Sequence, residues 1–195
     1  MKRCKNTSVT LGLGVLVLVM SGCSTPTVEI AADYPGFNSI KELTAVADFV
    51  VEVEIGESYF DVLLPTYEGE DPELNPLAGT DQKVPDSDSG EGAVPITVFK
   101  ATVVASYLGG PAVGKTLEIQ QLGGEAEGKR VVASDVRSLV EGERVLLFLD
   151  EYADAPAAIL GGDAGLFVPA DEGSFVSAAA TEKQLTVSVD DLLER

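Results

Sequence analysis

Hydrophobic and polar positions follow three rhythms along this chain. From Val9 to Val19 the residues are unbroken and apolar (VTLGLGVLVLV). From Ile40 to Ala47 the apolar residues Ile40, Leu43 and Val46-Ala47 recur at helical intervals, and Ser39-Ile40-Lys41-Glu42 in front of them has the spacing of a capping box. A helix starting at Ile40 and ending near Asp48 is predicted. From Asp48 to Ile55 the period becomes two, with Phe49, Val51, Val53 and Ile55 on one face and Glu52 and Glu54 on a polar one, the pattern of a half-buried strand.

Strand patterns then recur at short intervals between glycine-rich turns: Ile96 to Tyr107, Thr116 to Leu122, Lys129 to Ala133, Arg144 to Asp150, Ala157 to Leu160, Leu166 to Pro169 and Ser174 to Ser177. Leu117 and Ile119 alternate with Glu118 and Gln120, as a strand with one wet face should. Val145 to Leu149 is apolar on both faces and belongs at the centre. Leu-Gly-Gly occurs at Leu108, Leu122 and Leu160 with unequal spacing and unmatched flanks, which suits strand ends that need positive φ or close backbone approach rather than repeats. Val189 to Arg195 predicts a short C-terminal helix capped by Asp190. Many strands with short turns and few helices predict a mainly β domain, a small antiparallel OB-like barrel or a sandwich, with one N-terminal helix and a long acidic loop.

The first apolar run is too short to span a bilayer core, which needs about 20 residues. Lys2, Arg3 and Lys5 precede it, and Met20-Ser21-Gly22-Cys23 closes it. This order is that of a signal peptide ending in a lipobox, with small residues before a cysteine that receives the lipid. Residues 1–22 are therefore expected to be removed, and Cys23 is the expected lipidation site. Two acyl chains there would hold the protein stably to a membrane. Residues 23–36, with prolines and little periodicity, read as a tether whose stretch from Ser24 spans about 45 Å when extended. Residues 37–195 make one domain. Cys4 falls in the discarded segment, so no disulfide is expected in the mature chain.

Charge and composition then narrow the function. Loss of Lys2, Arg3 and Lys5 leaves 10 basic residues against 32 acidic ones, a net charge of −22 that repels nucleic acid. Much of this charge lies between Tyr59 and Ala93, where Glu68, Glu70, Asp71, Glu73, Asp81, Asp86, Asp88 and Glu91 face a single Lys83; disorder is expected over about 67–92. Histidine and tryptophan are absent. With no histidine and no free thiol in the mature chain there is no serine–histidine triad, no cysteine nucleophile and no ordinary zinc or copper site.

Three short motifs stand out in this acidic, histidine-free chain. Gly109-Gly110-Pro111-Ala112-Val113-Gly114-Lys115-Thr116 satisfies the Walker A expression, but that mechanism needs the loop to open into a helix. Here it opens into Thr116 to Gln121, which alternates like a strand, so a hairpin turn and no nucleotide site are expected. Asp86-Ser87-Asp88-Ser89-Gly90-Glu91-Gly92 partly matches a calcium loop but lacks the EF-hand glycine at Glu91 and the glutamate at Thr97. The acid pairs Glu141/Glu143 and Asp190-Asp191 raise a glycosidase reading, which requires two carboxylates roughly 5 to 10 Å apart across a cleft.

Ala47-Asp48-Phe49-Val50-Val51 with Gly56, the strand ending Leu108-Gly109-Gly110, Leu117-Glu118-Ile119 before Gly123-Gly124, and Glu141-Gly142-Glu143-Arg144 leading into Leu146-Leu147-Phe148-Leu149 resemble a family of uncharacterised exported bacterial proteins and lipoproteins. The resemblance covers roughly residues 39–176. The same order is loosely similar to netrin-like and metalloprotease-inhibitor domains, five-stranded OB-type barrels, which implies a barrel and not an activity. Those inhibitors chelate metal through a free N-terminal cysteine, whereas Cys23 here would be lipidated. The expectation is a lipid-anchored protein on the extracytoplasmic face of the cell membrane. Its domain would be a non-catalytic binding or scaffold module for an envelope protein, without cofactor or metal. A calcium-responsive acidic module is the alternative, and a carboxylate-dependent hydrolase ranks below it.

Overall fold

A computed structural model describes residues 26–64, 75, 77–81, 83, 92–126, 128–134, 136–171, 173–179 and 184–193. The proposed signal peptide, Cys23, the Asp86–Glu91 stretch and most of the acidic insertion lie outside the described residues. The chain is mainly β, as the alternation predicts. Ten strands form one mixed sheet: β1 (Thr27–Ile30), β2 (Phe49–Leu63), β3 (Val94–Leu108), β4 (Thr116–Ala126), β5 (Lys129–Ala133), β6 (Arg144–Asp150), β7 (Ala157–Ile159), β8 (Leu166–Pro169), β9 (Ser174–Ser177) and β10 (Thr186–Ser188). Two helices, α1 (Ile40–Val46) and α2 (Val189–Leu193), and a 3-10 turn at Gly162–Gly165 complete the described elements.

Five strands pair in a closed cycle. β2 pairs antiparallel with β3 and β6, β3 with β4, and β6 with β7; β7 then returns to β4 in the single parallel contact of the ring, Ile119 opposite Ala157 and Gln120 opposite Ala158. Inward-facing Phe49, Val51, Val53, Ile55, Phe99, Ala101, Val103, Ile119, Val145, Leu147 and Leu149 fill this ring with one apolar cluster. The opposite face of β2 and β6 presents Val50, Leu146 and Phe148 to a second cluster, roofed by Leu43 of α1, Phe167, Phe175, Val187 and Leu192 of α2. Burial on both faces is why Val145 to Leu149 reads as continuously apolar.

Local chemistry fixes the ends. Ser39 caps α1, its Oγ accepting from Glu42 N at 3.2 Å, while the Glu42 carboxylate reaches back to the Asn38 N–H at 2.8 Å. At α2 the cap is Ser188 rather than Asp190: Ser188 Oγ accepts from Asp191 N at 3.1 Å and Asp191 Oδ2 accepts from Ser188 N at 3.3 Å. All six glycines of the Leu-Gly-Gly steps have positive φ. The pair in β4 has a further role, because there the strand leaves β3 and turns to β5. A Cβ on Gly123 would sit 2.9 Å from Val131 O and one on Gly124 2.8 Å from Ile96 O, so only glycine allows both backbones so close.

Four further expectations are corrected. Within the segment expected as a tether, Thr27–Ile30 is a strand, parallel to β5 with Thr27 opposite Arg130 and Ile30 opposite Ala133. Val28, the one large apolar residue there besides Ile30, gave too little periodicity to show it. Strand β2 runs eight residues past Ile55, crossing a bulge where Gly56 and Glu57 oppose Lys100 alone. Within the 67–92 stretch expected to be disordered, Asn75 is buried and starts a turn, its Oδ1 accepting from Leu77 N at 3.0 Å and its carbonyl from Ala78 N at 2.9 Å. Glu52, placed with Glu54 on a wet face, is 5% exposed. The residue pairs with Arg144 and accepts from the Tyr107 hydroxyl at 3.2 Å. Burial first, then the Glu52 charge and hydrogen bond, push the Tyr107 phenol up to about 12.

Candidate functional site

The strand alternation that buries Ile119 inside the ring turns Gln120 and Leu122 outward, together with Ile96 of the adjacent β3. Outside this strand pair lies a cavity of about 490 Å³. Its walls come from four places: Leu63 and Leu64 at the end of β2, Tyr152 and Ala155 of the β6–β7 loop with Ala158 and Ile159 of β7, Ala32 and Tyr34 of the N-terminal segment, and Val136. The wall is thus chiefly aliphatic and aromatic, with a size in the range typical of small-molecule sites.

Polar groups are few and specific. Gln120 is 8% exposed; its Nε2 donates to Pro156 O at 2.8 Å, and its Oε1 is buried with no hydrogen-bond partner among the described residues. Its neighbour Gln121 is satisfied at both ends, Nε2 donating to Arg137 O at 3.1 Å and Oε1 accepting from Leu139 N at 2.9 Å. A buried acceptor left unmade costs about 1–3 kcal/mol, so Gln120 stands out. Tyr34 and Tyr152 both have phenols pushed up, chiefly by burial; Asp163 adds to the effect at Tyr34, and Asp150 and Asp48 add to it at Tyr152. Both rings stay protonated at neutral pH.

Asp163 follows Gly162, which lines the cavity. Its two carboxylate oxygens accept from the Arg137 N–H at 2.9 and 3.0 Å. Burial raises its pKa, and the Arg137 N–H and charge oppose the rise without cancelling it. An acid with a raised folded pKa holds its proton more tightly in the fold, so its ionisation lowers stability as pH climbs through that value, and the penalty vanishes below the unfolded value. Asp163→Asn keeps an acceptor for Arg137 and removes the ionisation. At pH 7 the variant is expected to melt at the same temperature as the parent or up to about 4 °C higher, and the difference should shrink toward pH 4. A thermal melt at both pH values checks this; a lower melting temperature at pH 7 would contradict it.

The residues singled out in the sequence are not drawn together here. Gly109 to Lys115 form the β3–β4 turn, with Gly114 N donating to Val103 O at 2.8 Å and Lys115 N to Ala112 O at 3.0 Å, and Thr116 begins a strand. No helix N-terminus follows to receive a phosphate. Glu143 is committed to Arg137 and to the Val140 N–H, while Asp191 takes part in the cap of α2. Of Glu141, Glu143, Asp190 and Asp191, none is among the residues lining the cavity. Among the described residues there is no group of three or more metal-ligating side chains, and no helix long and apolar enough to cross a membrane.

Sequence reasoning missed the cavity. Tyr34 lay in the expected tether, Gln120 in an expected wet face, and Tyr152 in a loop. The available hint was Gln120-Gln121 immediately before Leu122-Gly123-Gly124, two amides at a strand kink where exposed positions would more often carry charge. No protein-family model, no curated protein and no solved structure matches the chain.

Proposed function

We propose that this chain is a lipid-anchored extracytoplasmic protein whose β domain binds a ligand without chemical transformation, and that the cavity outside β3 and β4 is its binding site. The observation that carries the binding half is the cavity of about 490 Å³ itself, walled chiefly by aliphatic and aromatic side chains. Default expectation places a binding site where a well-formed apolar pocket meets a few convergent polar groups.

The strand cycle supports an OB-type barrel, since five strands close with one parallel contact, β4 to β7. In OB folds the second and third strands and the loops after the first and fourth carry the ligand surface. In the ring β2-β3-β4-β6-β7 those strands are β3 and β4, and the fourth-to-fifth loop is 151–156, which contributes Tyr152 and Ala155 to the cavity. This is an analogy of fold and adds position rather than chemistry.

The anchor rests on the n-region, the apolar run and Cys23. Cys23→Ala is expected to abolish metabolic labelling with palmitate and to leave the longer precursor, read by gel mobility; continued labelling would refute the lipid anchor. For the binding half, protein recovered undenatured from its own cells is expected to carry a small non-covalent adduct.

A further inference from the structure

With lipid on Cys23, the reading on which this inference rests, the domain has little slack. Pro26 is three residues further on, at most about 11 Å away along a fully extended chain. Its carbonyl accepts from the Arg130 N–H at 2.9 Å, and β1 starts at the next residue, parallel to β5 with Thr27 opposite Arg130. The anchor therefore brings the membrane to one particular corner of the fold, where β1 begins and β4 turns into β5.

Apolar side chains stand out into water at that corner. Arg130 and Val132 line a groove of about 90 Å³ together with Phe60, which reaches it from the far end of β2. A Cβ built on Gly124 would lie 3.1 Å from Phe60 Cδ1, and Gly124 stands opposite Val131, one register position from Arg130. Val62 shares the strand face of Phe60. Phe60, Val62 and Val132 are 53%, 44% and 37% exposed. Neighbouring apolar side chains held in water beside charged ones mark an interaction site.

Charge allows that site to meet a bilayer. Residues 125–130 hold two acids, Glu125 and Glu127, and two bases, Lys129 and Arg130, so this turn is neutral in a chain whose formal charge is −19. Lys129 and Arg130 are exposed and make no ion pair among the described residues. A guanidinium without a carboxylate partner is suited to a phosphate, which it can grip through two parallel N–H groups.

We propose that this corner is a membrane-contact surface: Phe60, Val62 and Val132 enter the interface of the phospholipid leaflet that carries the anchor, and Lys129 and Arg130 meet its phosphates. Two signals, lipid and apolar contact, then hold the domain in one orientation at the bilayer. The β3–β4 turn lies beyond the other end of β4. Thr116 is seven residues of strand from Gly123, about 23 Å, and that turn faces water.

The lipidated mature chain in vesicles of phosphatidylcholine and phosphatidylglycerol tests this. Its own cysteine is blocked by lipid, so Phe60→Cys, Val62→Cys or Val113→Cys each gives a single site for a bimane label. Val113 is 65% exposed on the β3–β4 turn and serves as the distant site. Interfacial side chains sit roughly 5–10 Å into the headgroup and acyl boundary, so bimane at 60 and 62 is expected to lose at least about half its fluorescence to a nitroxide on the lipid chain. Bimane at 113 is expected to lose almost none. Adding Lys129→Glu and Arg130→Glu should relieve the quenching at 62.

A chain that floats with the vesicles yet shows no quenching at 60 and 62 would overturn the contact surface and leave the anchor standing. Equal quenching at 113 would overturn the single orientation, and quenching indifferent to the two glutamates would overturn the phosphate contact. A chain that fails to float would remove the anchor, and the surface with it.

Discussion

Phe148→Ala is expected to destabilise the protein by about 3–5 kcal/mol, the range for truncating a buried aromatic in a core that cannot collapse around the gap. Phe148 is wholly buried on β6, directly opposite Val50 of β2, and its ring meets that of Phe167 with centroids 5.3 Å apart and planes at 49°. That tilted contact adds about 0.5–1.5 kcal/mol beyond area alone. Phe148 belongs to the second cluster, which also takes Leu43 of α1, Phe167 of β8, Phe175 of β9 and Leu192 of α2. Domains of this size have about 5–15 kcal/mol in hand, so the variant should unfold about 10 °C or more below the parent in a thermal melt. Phe148→Leu, which keeps most of the volume, should lose far less. A loss under about 1 kcal/mol for the alanine variant would show that the second cluster is not a packed core.

Gly165→Ala is the other substitution with a large expected effect, about 2–4 kcal/mol, and for a reason unrelated to hydrophobicity. A Cβ at this position would lie 2.5 Å from Leu160 O and 3.0 Å from Phe148 O, both main-chain atoms that cannot rotate away. Phe148 O already accepts from Leu160 N at 3.0 Å, so a shift there opens the contact between β6 and the chain leading into β8. Gly173 gives the control. It has φ of 73° and nothing within 4 Å of a built Cβ, so Gly173→Ala should cost only the conformational term, about 1 kcal/mol. If denaturant titration found the two substitutions equal, close backbone approach would not be what Gly165 provides.

These two positions also mark how much the sequence disclosed. Phe148 sits in a run apolar on both faces, and a run of that kind announces a central strand whatever the fold; its neighbours in the chain then identify themselves by alternation. The Leu-Gly-Gly steps at Leu108 and Leu160 announced strand ends for the same local reason, whereas the one at Leu122, expected as a strand end, is a kink inside β4. Gly165 announced nothing, because its role depends on a carbonyl five residues away and another seventeen residues away that only the folded chain brings together. The same division holds at the site. Gln120 obeys the alternation of β4 and was expected to be wet, since periodicity reports which face a residue occupies and not what covers that face. What covers it is Tyr34 and Ala32, carried there by an N-terminal segment whose single strand pairs with β5 through backbone hydrogen bonds, a contact that leaves almost no side-chain pattern. Glu52 escaped for a related reason. Its carboxylate is buried by partners, Arg144 and Tyr107, that come from two other strands. Buried acids of this kind look identical to solvated ones in a one-dimensional pattern.

The central claim is that the cavity outside β3 and β4 is occupied in the working protein, and native mass spectrometry tests it most directly. The anchored chain is extracted from its own cells in mild non-ionic detergent, beside an Ala158→Phe form expressed at the same level. The account predicts that the parent carries one small molecule per chain, released on denaturation, and that the phenylalanine variant carries none. Identical spectra for the two forms, bare or equally laden, would contradict it.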